Sequence, residues 1–163
     1  MSNIAIFPGS FDPITKGHEN IVNRALPLFD KVIVAVGYNT DKKNFFSLEQ
    51  RVEFIKKTFK HLPNVSVETY EGLTADFAKK HQANFLLRGL RNVSDFEFER
   101  NIAAANKELL PNLETVFMCT ALEYSHISST VVRDVLRYGG DVKVFLPNAL
   151  QSDIQRVFQK NET

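Results

Sequence analysis

Tryptophan is absent from this chain and cysteine occurs once, at Cys119, so no internal disulfide can form and a reducing compartment is expected. Cys119 closes the apolar run from Thr115 and reads as core. An excess of either charge is also missing: 20 basic side chains face 19 acidic ones, for a formal net charge of +1. That balance argues against nucleic acid or a membrane as a partner, so any basic site must be local. No apolar run approaches the length of a bilayer crossing, and no basic N-terminal segment leads into a long apolar one. A cytoplasmic protein is expected. His18, His61, His81 and His126 show none of the paired spacings of a zinc site, so no metal-ligating set is assigned. The glycine patterns of a P-loop and of a dinucleotide-binding turn, and the Gly-x-Ser-x-Gly of a hydrolase elbow, do not occur, which disfavours those three classes.

What is present suits one domain over residues 1–163, long enough to bury a core without covalent staples. Apolar runs of strand length recur at Ile4 to Phe7, Val32 to Val36, Val65 to Val67, Phe85 to Leu87 and Thr115 to Met118. Segments of helical period separate most of them. The first helix presents Ile21, Val22, Ala25, Leu28 and Phe29 on one face. A second starts after Ser47, with Gln50 completing a capping box, a third spans roughly Thr74 to Lys80, a fourth Val93 to Leu109, and a fifth Ser128 to Arg137. A short tail helix follows Asn148. The alternation predicts an α/β fold: a Rossmann-like, doubly wound sheet of five mainly parallel strands with helices on both faces. Ligands of such sheets gather at the carboxyl ends of the strands, where this chain places its polar and flexible segments.

Three constellations lie at that edge. Ser10, Thr15, Gly17 and His18 follow the first strand and open a helix, so backbone N–H groups and a helix dipole favour an anion beside an imidazole. Taken alone, Gly-His reads first as a capped turn with a surface histidine, and it is the preceding strand with Ser10 that turns the reading toward an anion site. Ile127, Ser128, Ser129 and Thr130 follow the fifth strand and open another helix, either as a cap with spare hydroxyls or as a second phosphate grip. Two helix N-termini at one edge could hold a triphosphate from both ends. The third set is cationic: Lys42 after the second strand, and Arg88 and Arg91 after the fourth. Arg88 follows the apolar Phe85-Leu86-Leu87, so its guanidinium needs an anionic partner.

Together these residues resemble the bacterial phosphopantetheine adenylyltransferase family of the nucleotidyltransferase superfamily. The resemblance rests on Pro8-Gly9-Ser10-Phe11-Asp12-Pro13 with Thr15-Lys16-Gly17-His18, on Arg88-Gly89-Leu90-Arg91, on Asp95-Phe96-Glu97-Phe98-Glu99, and on Ile127-Ser128-Ser129-Thr130. It implies adenylyl transfer from ATP to 4'-phosphopantetheine, giving dephospho-coenzyme A and pyrophosphate. Catalytic parts fall to His18, Lys42 and Arg91. ATP contacts fall to Ser10, Phe11, His18, Gly89, Leu90, Arg91 and Glu99, and to Tyr124, Ser125, His126, Ile127, Ser128, Ser129 and Thr130. Phosphopantetheine contacts fall to Ser10, Lys42, Leu73, Thr74, Arg88, Ile102 and Asn106. The resemblance further implies magnesium as cofactor, coenzyme A as feedback inhibitor and a homohexamer built as a dimer of trimers. Ser10 stands where the family commonly has threonine, and His126 where phenylalanine is usual. Rival readings are a cytidylyltransferase or nicotinate mononucleotide adenylyltransferase of the same fold, and a nucleotide sensor that binds ATP without turnover.

Overall fold

The chain builds one parallel sheet in the strand order β3-β2-β1-β4-β5, seen in a computed structural model that describes residues 2–162. The strands are β1 (Ile4–Gly9), β2 (Lys31–Gly37), β3 (Val65–Tyr70), β4 (Phe85–Leu90) and β5 (Glu114–Cys119). The helices are α1 (Lys16–Ala25), α2 (Leu48–Thr58), α3 (Thr74–Lys80), α4 (Val93–Leu109), α5 (Ser129–Arg137) and α6 (Ile154–Glu162).

Period-two alternation along the central strands feeds two cores. Ala5 and Phe7 of β1, with Val32, Val34 and Val36 of β2, face a core shared with α1, α2, α5 and α6. Ile6, Ile33, Ala35 and Leu86 point the other way, onto Ala75, Phe77 and Ala78 of α3 and onto Leu113. Helices therefore cover both faces, as the doubly wound reading expects. At the exposed ends of the sheet the apolar pattern means less. Cys119 is exposed at the end of the edge strand β5 rather than in the core, because an edge strand has one neighbour and β5 is only partly covered. Leu28 is likewise 57% exposed, since Pro27 ends α1 and turns Leu26–Leu28 into a 3-10 turn that leaves the helical face.

Every strand runs further toward the polar edge than its apolar run suggests, and β4 includes Arg88, Gly89 and Leu90 rather than ending before them. Main-chain pairing carries these polar residues along: β4 stays in register with β5 through Leu90 and Cys119, and β1 with β2 through Gly9 and Val36. Between β1 and β4 the ladder stops at Ile6 with Leu86. Pro8 lies two residues beyond and has no N–H to continue it. The chain directions part there, at the point where the strand order reverses, and a crevice opens.

Candidate active site

The crevice is a cavity of about 310 Å³ whose walls bring the three constellations together. Gly17 and His18 come from the first turn of α1, Ser128, Ser129 and Thr130 from that of α5, and Arg88, Gly89 and Arg91 from the end of β4 and the turn after it. Both helix N-termini therefore reach one space. Gly89 permits this closeness: a Cβ there would stand 3.1 Å from Ile21 of α1.

His18 is the third residue of α1, and its Nδ1 accepts the backbone N–H of Thr15 at 3.0 Å, with the Thr15 hydroxyl at 3.2 Å. An Nδ1 that accepts carries no proton, so the neutral ring holds its proton on Nε2 as a donor. Burial, and then the charges of Arg88 and Arg91, lower its pKa from 6.5 to about 4. Phe11 packs edge-on against this ring, with centroids 5.0 Å apart, and against Phe7 at 5.3 Å. Its backbone sits at φ 47°, a left-handed conformation costly for a bulky residue, which the packing of that ring sustains.

The loop between β1 and α1 is tied from behind. Arg51 of α2 donates from Nη1 to the Ser10 carbonyl at 2.7 Å, Arg133 of α5 donates to the Asp12 carbonyl at 2.7 Å, and the Ser129 hydroxyl donates to the Pro13 carbonyl at 2.8 Å. The buried Asp12 carboxylate accepts the N–H groups of Phe45 and Phe46 at 2.7 and 2.8 Å. Three carbonyls that would repel an anion are thus occupied. Ser129 spends its only hydroxyl proton there, so what it retains for a phosphate is its helix N-terminal N–H. Ser128 caps α5 by accepting from Val131 N–H at 3.2 Å.

Two arginines face the cavity with a carboxylate behind each. Arg88 donates to Glu99 from Nε at 2.8 Å and from Nη2, while its Nη1 takes the Pro8 carbonyl left by the broken ladder. Glu99 is the one buried side chain of α4. Arg91 is held by Asp95 through Nε at 3.1 Å and backbone N at 3.0 Å; burial opposes ionisation of that carboxyl, but the Arg91 contacts outweigh it and lower its pKa. Arginine forks fixed in this way keep further N–H groups for a phosphate.

A second cavity, about 190 Å³, shares Pro8, Gly9, Arg88 and Glu99 with the first and continues along Thr74, Ile102 and Asn106. The two spaces thus meet across one ion pair. Ser10, Phe11 and Ile127 also line the first cavity. Leu90, Tyr124, Ser125 and His126 do not line either space, nor do Lys42 and Leu73, which are exposed on the turns after β2 and β3. Tyr124 borders a separate polar hollow beside Lys16 and Glu19, and His126 meets Phe145 edge-on at 6.4 Å. Sequence reasoning passed over Arg51, Arg133 and Tyr70. Helical period puts Arg51 on the inner face of α2, three before Phe54, and a buried arginine is the signal that was there to read.

Among the described residues no group of three or more His, Cys, Asp or Glu is placed to hold a metal ion. The two carboxylates of the first cavity are each taken by an arginine, so these side chains do not fit a resident metal.

A family model described as cytidylyltransferase-like matches residues 6–135. The phosphopantetheine adenylyltransferase of Flavobacterium johnsoniae is 58% identical over 147 residues, covering 90% of this chain and 96% of that relative. The chain belongs to the phosphopantetheine adenylyltransferase family. Another member, from Carboxydothermus hydrogenoformans, is 46% identical over 157 residues, covering 96% of this chain and 97% of its own. Membership makes the protein a nucleotidyltransferase enzyme. A solved putative nicotinate-nucleotide adenylyltransferase from Vibrio parahaemolyticus superposes with a TM-score of 0.71 at 21% identity, over 98% of this chain and 99% of that one, and so shares the fold. No helix among the described residues is long and apolar enough to cross a membrane.

Proposed function

We propose that this protein transfers the adenylyl group of ATP to 4'-phosphopantetheine by direct in-line attack, releasing pyrophosphate and forming dephospho-coenzyme A. The observation that carries the reading is the pair of cavities meeting at Arg88 and Glu99: a larger one with two helix N-termini and His18, and a smaller one leading away from Arg88. The first suits a triphosphate and the second an acceptor whose phosphate arrives at Arg88.

The acceptor phosphate is already ionised near neutral pH, so the reaction needs no strong general base. One of its oxygens attacks the α-phosphorus of ATP, the new P–O bond forms opposite the bridge to the β-phosphate, and that bridge breaks to release pyrophosphate. Catalysis amounts to holding two anions in line and offsetting their repulsion. Arg88 takes the acceptor phosphate, Arg91 and the α5 N-terminus the triphosphate, and the Nε2–H of His18 the charge that builds on the α-phosphate. Lys42, exposed on the turn after β2, joins them by extending its side chain inward. Magnesium, on this reading, would arrive with the nucleotide and offset part of its phosphate charge. Coenzyme A would inhibit by occupying both spaces, since it carries a nucleotide and a pantetheine arm.

A homohexamer is proposed with this reading. Support comes from α4, which leaves Val93 75%, Phe98 67% and Leu109 57% exposed.

Pyrophosphate release, measured with ATP and a panel of phosphopantetheine, nicotinate mononucleotide and glycerol phosphate, tests the proposal. Release with phosphopantetheine alone is expected. Release with nicotinate mononucleotide instead moves the protein to the rival transferase, and ATP binding without release for any acceptor makes it a sensor.

A further inference from the structure

Arg51 lies on the inner face of α2 with 1% of its surface exposed, and its Nε has no hydrogen-bond partner among the described residues. Taking a guanidinium out of water is costly, and a well-packed apolar side chain of similar volume often serves stability as well or better. Burial pushes its pKa down, against the charges of Asp12 and Glu49, which favour the cation. Stability alone is therefore a poor reason for an arginine here. What the residue does hold is the Ser10 carbonyl, to which its Nη1 donates at 2.7 Å.

The C=O and N–H of one trans peptide point to opposite sides, so a Ser10 carbonyl drawn back toward α2 turns the Phe11 N–H forward. Ser10 and Phe11 line the first cavity and Arg51 does not, so forward is toward that space. A rival orientation exists. Phe11 sits at φ 47°, and rotating the Ser10–Phe11 peptide by half a turn returns that φ to the ordinary extended range. The same rotation would set the Ser10 carbonyl where the N–H had been, a dipole of the wrong sign beside a phosphate. Packing of the Phe11 ring restrains one end of this peptide, and the Arg51 bond restrains the other. We infer that Arg51 is a positioning residue, fixing the Ser10–Phe11 peptide so that the Phe11 N–H donates to a nucleotide phosphate. The inference rests on the adenylyl-transfer reading above only in placing the triphosphate in the first cavity.

Titration calorimetry of the wild-type protein, Arg51→Met and Arg51→Lys, each with ATP and with adenosine, provides the test. Methionine fills the space of the arginine stem without a donor, and lysine keeps a charged donor. Arg51→Met should weaken ATP binding about tenfold, the size of one hydrogen bond to a charged oxygen, while adenosine affinity stays within about twofold. Arg51→Lys should recover most of the loss. A general loosening of the site would weaken both ligands alike; that result, or unchanged ATP affinity in Arg51→Met, overturns the inference. A second measurement needs no variant: in wild-type protein isotopically labelled at phenylalanine nitrogen, the Phe11 amide signal should shift with ATP and stay in place with adenosine. A Phe11 amide indifferent to ATP overturns the inference as well. ATP binding with a shifted Phe11 amide, in wild-type protein that releases no pyrophosphate with any acceptor, supports this inference while overturning the transfer reading; wild-type protein that binds no ATP overturns both.

Discussion

At the scale of single residues, His18 is placed as a neutral donor, with its Nδ1 accepting from Thr15 and its proton on Nε2. Its folded pKa of about 4 lies below the ordinary 6.5, so between those values the unfolded chain binds more protons than the native one. This group's contribution to stability is complete above about pH 6.5 and is lost as the pH falls toward 4. An NMR titration of the ligand-free protein should show the His18 imidazole titrating near 4, and addition of a nucleotide triphosphate should move that midpoint upward, because anions favour the cationic ring. His18→Ala should lower kcat about 100-fold with little change in either KM, as for loss of one donor to a developing oxyanion; steady-state kinetics decide this. Glu99 presents the converse case. Its removal strands the Arg88 guanidinium, and Glu99→Ala should cost about 1–3 kcal/mol by urea unfolding, less than for a fully buried pair because Arg88 keeps 28% exposure. The histidine, the arginines and the hydroxyl cluster were legible in the sequence because motif spacing states chemistry directly. The partners that lock them were not: nothing along the chain says that Glu99, 11 residues on, turns back to Arg88, or that Arg51 meets the Ser10 carbonyl 41 residues away.

Elements translate those residues into a site through their ends rather than their lengths. α1 and α5 point their first turns into one cavity, and Ser128 holds the start of α5 in place. Ser128→Ala should destabilise the protein by about 1 kcal/mol in thermal or urea unfolding, the usual loss for an N-cap serine. It should also weaken ATP binding several-fold by titration calorimetry, because a frayed first turn no longer presents fixed N–H groups. Helix starts were well marked in the sequence: the caps at Ser47 and Ser128, and the opening of Val93 to Leu109, match the observed starts of α2, α5 and α4 to within a residue, while α2 ends at Thr58, ahead of the Pro63-Asn64 stop that the sequence offers. Strand ends were hidden. Pro8, Gly9 and Arg88 carry loop chemistry, yet backbone pairing with the neighbouring strand extends β1 and β4 through them. Hydrophobic pattern reports apolar burial, whereas the rim of this sheet is paired whether its residues are buried, as Pro8 is, or only half-buried, as Gly9 and Arg88 are.

For the whole molecule, α4 sets the outstanding question of surface. Its 17 residues bury only the Glu99 side chain, and Phe98 and Val93 stand in the open. If these exposed side chains join copies of the chain as proposed, sedimentation velocity should give a hexamer of the 18.6 kDa chain, and Phe98→Asp should shift it to smaller species. A wild-type monomer at micromolar concentration would remove the hexamer from the proposal. The distribution of charge has the same global character. A formal charge of +1 hides a local collection of arginines and helix ends, so composition leaves the site to be found by topology.

The parting of β1 from β4 has one more consequence. A notch where two strands cease to pair, with Arg88 wedged at the end of their ladder, sets two guanidinium groups at the mouth of the sheet. Dissolved salt, which shields incoming phosphates from the arginines, is therefore an external variable expected to govern how full the notch is.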